Sequence, residues 1–170
     1  MNKPEYWLRG PIPNISPFLQ PAAHALLQSR AEIKKYTKDF SEDLLWEKPA
    51  GRASVAFHLQ HITGVLDRML TYAKKKSLTE QQFKYLRNEG VYNEEVKIAD
   101  LINAFIEKVD DALQMFENTS EVILTEKRTV GRKKLPSSVI GLYFHAAEHS
   151  QRHVGQLLVT VSVLKRGSKS

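Results

Sequence analysis

Residues 139–164, VIGLYFHAAEHSQRHVGQLLVTVSVL, decide how this chain folds. Val139, Leu142, Ala146, Leu157 and Leu164 recur at helical steps, so one stripe of the segment faces a core. Pro136, Ser137 and Ser138 precede it and predict a helix over 136–165, since proline suits a first turn and serine a cap. The same segment carries His145, His149 and His153, each four residues apart. An i, i+4 pair puts two imidazoles on one helix face, where both can reach one metal ion. All three cannot, because eight residues of helix rise about 12 Å against nitrogen–metal bonds of about 2 Å. At 100° per residue His153 lies about 20° from the apolar stripe, His149 about 60° and His145 about 100°. The pair nearest the interior is therefore His149 and His153, with His145 on the flank.

Working outward, three more long amphipathic segments appear. Leu19, Ala22, Ala23, Leu26, Leu27, Ile33, Tyr36 and Phe40 predict a helix over 17–40, with Ser16 and Pro17 at its start. Val55, Leu59, Ile62, Leu66, Met69 and Ala73 predict another over 54–75, capped by Ser54. Ile98, Leu101, Phe105, Val109, Leu113 and Phe116 predict a third over 94–118. A short helix from Thr79 to Asn88 ends at Gly90, and Val122, Leu124 and Val130 around Gly131 suggest a small extended excursion. Residues 1–16 hold Pro4, Pro11 and Pro13 and read as an irregular arm whose aromatics, Tyr6 and Trp7, pack on the body. Residues 166–170 read as a frayed basic tail. The expected fold is all-α, a four-helix bundle with crossover connections, in one domain over 1–170.

Composition narrows the chemistry. The chain has 170 residues and no cysteine, which excludes disulfides, thiolate metal sites and a cysteine nucleophile. No apolar run approaches the ~18 residues of a membrane span, and MNKPEYWLRGPIP lacks a signal peptide's apolar segment. A cytoplasmic protein with no membrane partner is the expectation. The net charge of +6 favours anions without specifying one.

Two further histidines, His58 and His61, sit on the 54–75 segment, whereas His24 has no partner at ligand spacing. Periodicity alone selects His58 as a third ligand, because it lies closer to its helix's apolar stripe. The residue after His149 is Ser150, so the glutamate base of the H-E-x-x-H peptidases is missing. Glu148 precedes the pair and is expected to point elsewhere.

The stretches YWLRGPIPNISPFLQPAAHALLQ, SVAFHLQHITGVLDRMLTYA and HAAEHSQRHVGQLL together resemble the DinB/YfiT-like superfamily of bacterial four-helix metalloproteins, over essentially the whole chain. The most specific part is a histidine on the second helix combined with H-x-x-x-H-x-G-Q. The resemblance implies three histidines around a divalent ion, zinc or nickel, with positions left for water or substrate. It maps the ligands to His61, His149 and His153, against the angular preference for His58. We follow it, since a site at the open edge of a helix seam admits a substrate. His58 and His145 then become pocket residues beside the ligands, and Arg152 and Gln156 flank them as candidate contacts for an anionic group. Similar proteins include thiol-dependent transferases, so an S-transferase using a low-molecular-weight thiol, or a hydrolase, is the implied enzyme, acting on a small molecule.

The run EKRTVGRKK, with Lys127, Arg128, Arg132, Lys133 and Lys134, is a second candidate site. It lacks the interleaved aromatics of single-strand binders and the form of a recognition helix, so no specific nucleic acid is expected and an exposed basic connector is. Helices this apolar suggest a homodimer. The alternative function is a non-catalytic helical module with structural histidines or weak, non-specific nucleic-acid binding.

Overall fold

A computed structural model describes residues 3–167. Among the described residues five α-helices occur: α1 (Gln20–Tyr36), α2 (Val55–Ala73), α3 (Glu80–Asn88), α4 (Ile98–Glu117) and α5 (Val139–Gly167). The four long ones form the bundle. Both α1 and α2 pack mainly against α4 and α5, so the chain neighbours α1 and α2 occupy opposite corners. The links from α1 to α2 and from α4 to α5 are therefore the crossovers. Inside lie Leu26, Ile33, Leu59, Ile62, Leu66, Phe105, Phe116, Leu142 and Leu157, all at most 2% exposed. No helix among the described residues is long and apolar enough to cross a membrane.

Helix boundaries shift where local chemistry overrides periodicity. α1 begins at Gln20, not at residue 17, because a turn from Ser16 to Leu19 precedes it and Pro21 occupies its first turn. It ends at Tyr36: Asp39 takes a left-handed backbone, which turns Phe40 out of the helix. α4 begins at Ile98, and its first N–H donates to the Glu42 carboxylate at 3.1 Å. That cap lies 56 residues away in sequence.

The largest correction concerns Pro136, which belongs to a strand. β1 (Lys127–Val130) and β2 (Leu135–Ser138) form an antiparallel hairpin with Thr129 opposite Pro136. A two-stranded ribbon leaves one side of each strand unpaired, so a proline without an N–H fits there. The extended excursion thus lies later than Val122, which is exposed in a 3₁₀ turn. Ser138 caps α5 by accepting from the Gly141 N–H at 3.1 Å. The hairpin also buries Arg128, whose Nε donates to the Ala73 carbonyl at 2.7 Å. One of the five cations of the basic run is thereby withdrawn from its surface.

The arm differs from expectation as well. Trp7 is exposed, and Ile15 supplies the buried contact. The Gln20 side chain holds the arm by pairing with both backbone groups of Ile12 and with the Ile15 carbonyl. His24 Nε2 lies 3.0 Å from the Gly10 carbonyl, so this histidine ties down the arm. At the other end Arg166 and Gly167 belong to α5. Residues 168–170 of the expected tail lie outside the described residues.

Candidate metal centre

The seam between α2 and α5 gathers four of the six histidines. His58 and His61 come from the first two turns of α2, His149 and His153 from the middle of α5. His61 Nε2 lies 2.9 Å from His149 Nε2, and the ring of His153 is centred 4.6 Å from those of both. One nitrogen from each of His61, His149 and His153 falls within 4.8 Å of the others, so this group could hold a metal ion. The spacing fits: two nitrogens about 2.1 Å from one ion stand about 3 Å apart at a right angle and about 3.4 Å apart at a tetrahedral one.

His58 occupies a different place. It is buried, as its position near the apolar stripe implied, and its Nδ1 meets His153 Nδ1 at 3.0 Å. It therefore braces His153 from the core side. His145 is exposed, one turn before His149, with its Nδ1 2.9 Å from Glu148 Oε1. Glu148 does not point away from the histidines as expected. His145, Glu148 and His149 form a second group with ligand spacing, but Arg152 already binds Glu148 Oε2 at 2.8 Å. That ion pair also occupies Arg152, while Gln156 is exposed one turn further along.

Sequence reasoning missed Glu89. Its side chain is 5% exposed and bridges His61 and Arg68: Oε2 accepts from His61 Nδ1 at 2.6 Å, and Oε1 from Arg68 Nη1 at 2.7 Å. A buried carboxylate needs such partners to remain charged. By holding the proton on His61 Nδ1 it leaves the Nε2 lone pair facing His149, the tautomer a metal ligand requires. Two glycines make this possible. A Cβ on Gly64 would stand 2.5 Å from Glu89 Oε1 and 2.6 Å from Arg68 Nη1. Gly90 has φ +78°, where L side chains are disfavoured, and its N–H donates to Gln60 Oε1 at 2.8 Å. Gly90 was legible only as a helix stop. Nothing periodic connects residue 89 with residue 61.

Phe57 stacks on His61 with ring centres 5.1 Å apart and planes at 12°. Burial, then the nearby His61 ring, lowers His58 from the usual 6.5 to about 4. Burial leads again for the other two, followed by His61 and further cationic neighbours, and brings His149 to about 4 and His153 to about 3. All three rings are held neutral at pH 7, the form in which an imidazole can ligate a metal ion. His149 Nδ1 is the one buried side-chain polar atom among the described residues without a hydrogen-bond partner.

Against known families, the model of the DinB superfamily matches residues 25–157, which include every residue of this cluster. No curated protein matches the chain.

Proposed function

The chain belongs to the DinB superfamily, and from that premise we propose that it is a metal-dependent enzyme with His61, His149 and His153 as ligands of one zinc or nickel ion. The observation that carries the reading is the oriented His61: one nitrogen held by a buried carboxylate, the other 2.9 Å from His149. A structural histidine needs no such arrangement. An all-nitrogen donor set suits zinc or nickel better than calcium or magnesium, which prefer oxygen.

Held by His61, His149 and His153, a divalent ion would lower the pKa of a bound water or thiol and so supply a nucleophile at neutral pH. The reaction class is transfer of a group to a low-molecular-weight thiol or to water, an S-transferase or a hydrolase acting on a small molecule. The chain's own residues prepare the site. Glu89 keeps the His61 proton on Nδ1, and Arg68 compensates the carboxylate charge. His58 engages Nδ1 of His153, which leaves Nε2 of that ring for the ion. Phe57 covers one face of His61 and excludes water from it. Arg152, exposed beside His149 and His153, can exchange Glu148 for an anionic substrate group.

Elemental analysis of protein purified without a histidine tag, paired with a thiol-transfer screen, tests the reading. About one equivalent of zinc or nickel per chain is expected. Protein refolded with either ion that retains neither would replace the enzyme with the helical-module reading.

A further inference from the structure

Beyond the histidine cluster, a cavity of about 530 Å³ lies between α2, α3 and α4. Arg68, Lys74, Lys76 and Lys108 line it against a single acid, Asp67. Two of these charges cancel: Lys108 binds Asp67 at 3.0 Å and is shared with Asp111 at 2.8 Å. Lys74 and Lys76 are exposed, and neither has a side-chain ion pair or hydrogen bond among the described residues.

Arg68 is the unusual member. Its side chain is 9% exposed, yet among the described residues it meets one acceptor, Glu89 Oε1. A guanidinium carries five N–H donors in a planar fork. None of its unpaired nitrogens is sealed from solvent, and the side chain lines the cavity, so the free donors open into it. Those donors face the cavity without a protein acceptor, and an oxyanion is the acceptor whose geometry fits that fork.

We propose that this cavity binds a small molecule bearing an oxyanion, a phosphate or a carboxylate, with Arg68 as its anchor and Lys74 and Lys76 at its mouth. Tyr85 adds an aromatic edge to the wall, and Thr71 and Gln82 add polar side chains that can meet a neutral part of the ligand. This site goes beyond the metal-dependent reaction and needs no ion. Because the same guanidinium holds Glu89 against His61, an occupant lies one side chain away from the histidine cluster.

Metal-free protein labelled with ¹⁵N, titrated with inorganic phosphate and separately with succinate, tests the proposal. Saturable shifts of the Gly64, Thr71 and Gln82 amides are expected with at least one of the two anions. Phosphate alone, or succinate alone, then identifies the headgroup. Arg68→Gln is expected to weaken binding about tenfold or more, as loss of a charge-assisted contact implies. Should that variant misfold, Lys74→Ser with Lys76→Ser decides, through a smaller loss and a weaker salt dependence. The same titration of His149→Ala protein, which loses a ring that touches neither Arg68 nor Glu89, is expected to saturate as in the wild type, which separates this site from the metal reading. No saturable shift with either anion, shifts centred on α5 instead, or wild-type affinity in both variants would overturn it.

Discussion

His61 Nδ1 stands 2.6 Å from Glu89 Oε2, across 28 residues of chain, and this contact sets which nitrogen of His61 is free. Replacing Glu89 with Gln keeps the volume and removes the charge. Metal affinity is expected to fall 10- to 100-fold, the usual cost of losing the carboxylate behind a ligating histidine. Competition with a chelator measures it; unchanged affinity would mean that the carboxylate does not tune the ligand.

Gly64→Ala is the steric counterpart. The added methyl collides with the ends of two flexible side chains, Glu89 and Arg68, and approaches the Tyr85 ring at 3.0 Å. The chain is expected to fold, with a loss of about 1–3 kcal/mol from overpacking. Its metal affinity should drop in the same direction as in Glu89→Gln. Thermal melts and chelator competition on one preparation give both numbers, and wild-type affinity would show that the carboxylate has room to stay.

The ligand set is tested by alanine replacements. His61→Ala, His149→Ala and His153→Ala are each expected to abolish stoichiometric metal, and His24→Ala to leave it intact, since that ring binds the arm. His58→Ala should lower affinity without emptying the site, because His58 meets His153 and not the open side of the cluster. A full site in His61→Ala with an empty one in His58→Ala would reverse the assignment.

Metal-free protein is expected to lose stability as pH falls. Unfolded histidines take up protons near pH 6.5, whereas folded His58 and His149 do so near 4 and His153 near 3. In that window the unfolded state binds more protons, so stability drops with pH. The slope is at most about 1.4 kcal/mol per pH unit for each ring, and less for the partly exposed His149 and His153. Urea unfolding between pH 7 and 4 measures it, and His58→Gln should flatten the slope. A pH-independent midpoint would contradict the burial argument.

We also propose a homodimer, formed through the outward side of α5, where Phe144, Val159 and Val163 are exposed. Light scattering is expected to give twice the chain mass of 19.4 kDa, and Val159→Glu to give the monomer. A monomeric wild type at high concentration would remove the proposal.

By itself the sequence determined the four long helices and the placing of His149 and His153 on one face, because both follow from the 3.6-residue period. It also placed His58 nearer the core than His61, as the structure has it. Boundaries were another matter: the left-handed Asp39, the Glu42 cap on α4 and the strand around Pro136 are contacts or backbone choices that no stripe encodes. Only the tertiary structure brought α2 against α5, and Glu89 over Gly64 onto His61 and Arg68. Such a bridge depends on where α3 and the turn that ends it settle against α2, and that placing is fixed by packing between separate elements. Local periodicity shows which face of a helix is buried; the partner of that face is chosen only when the core assembles.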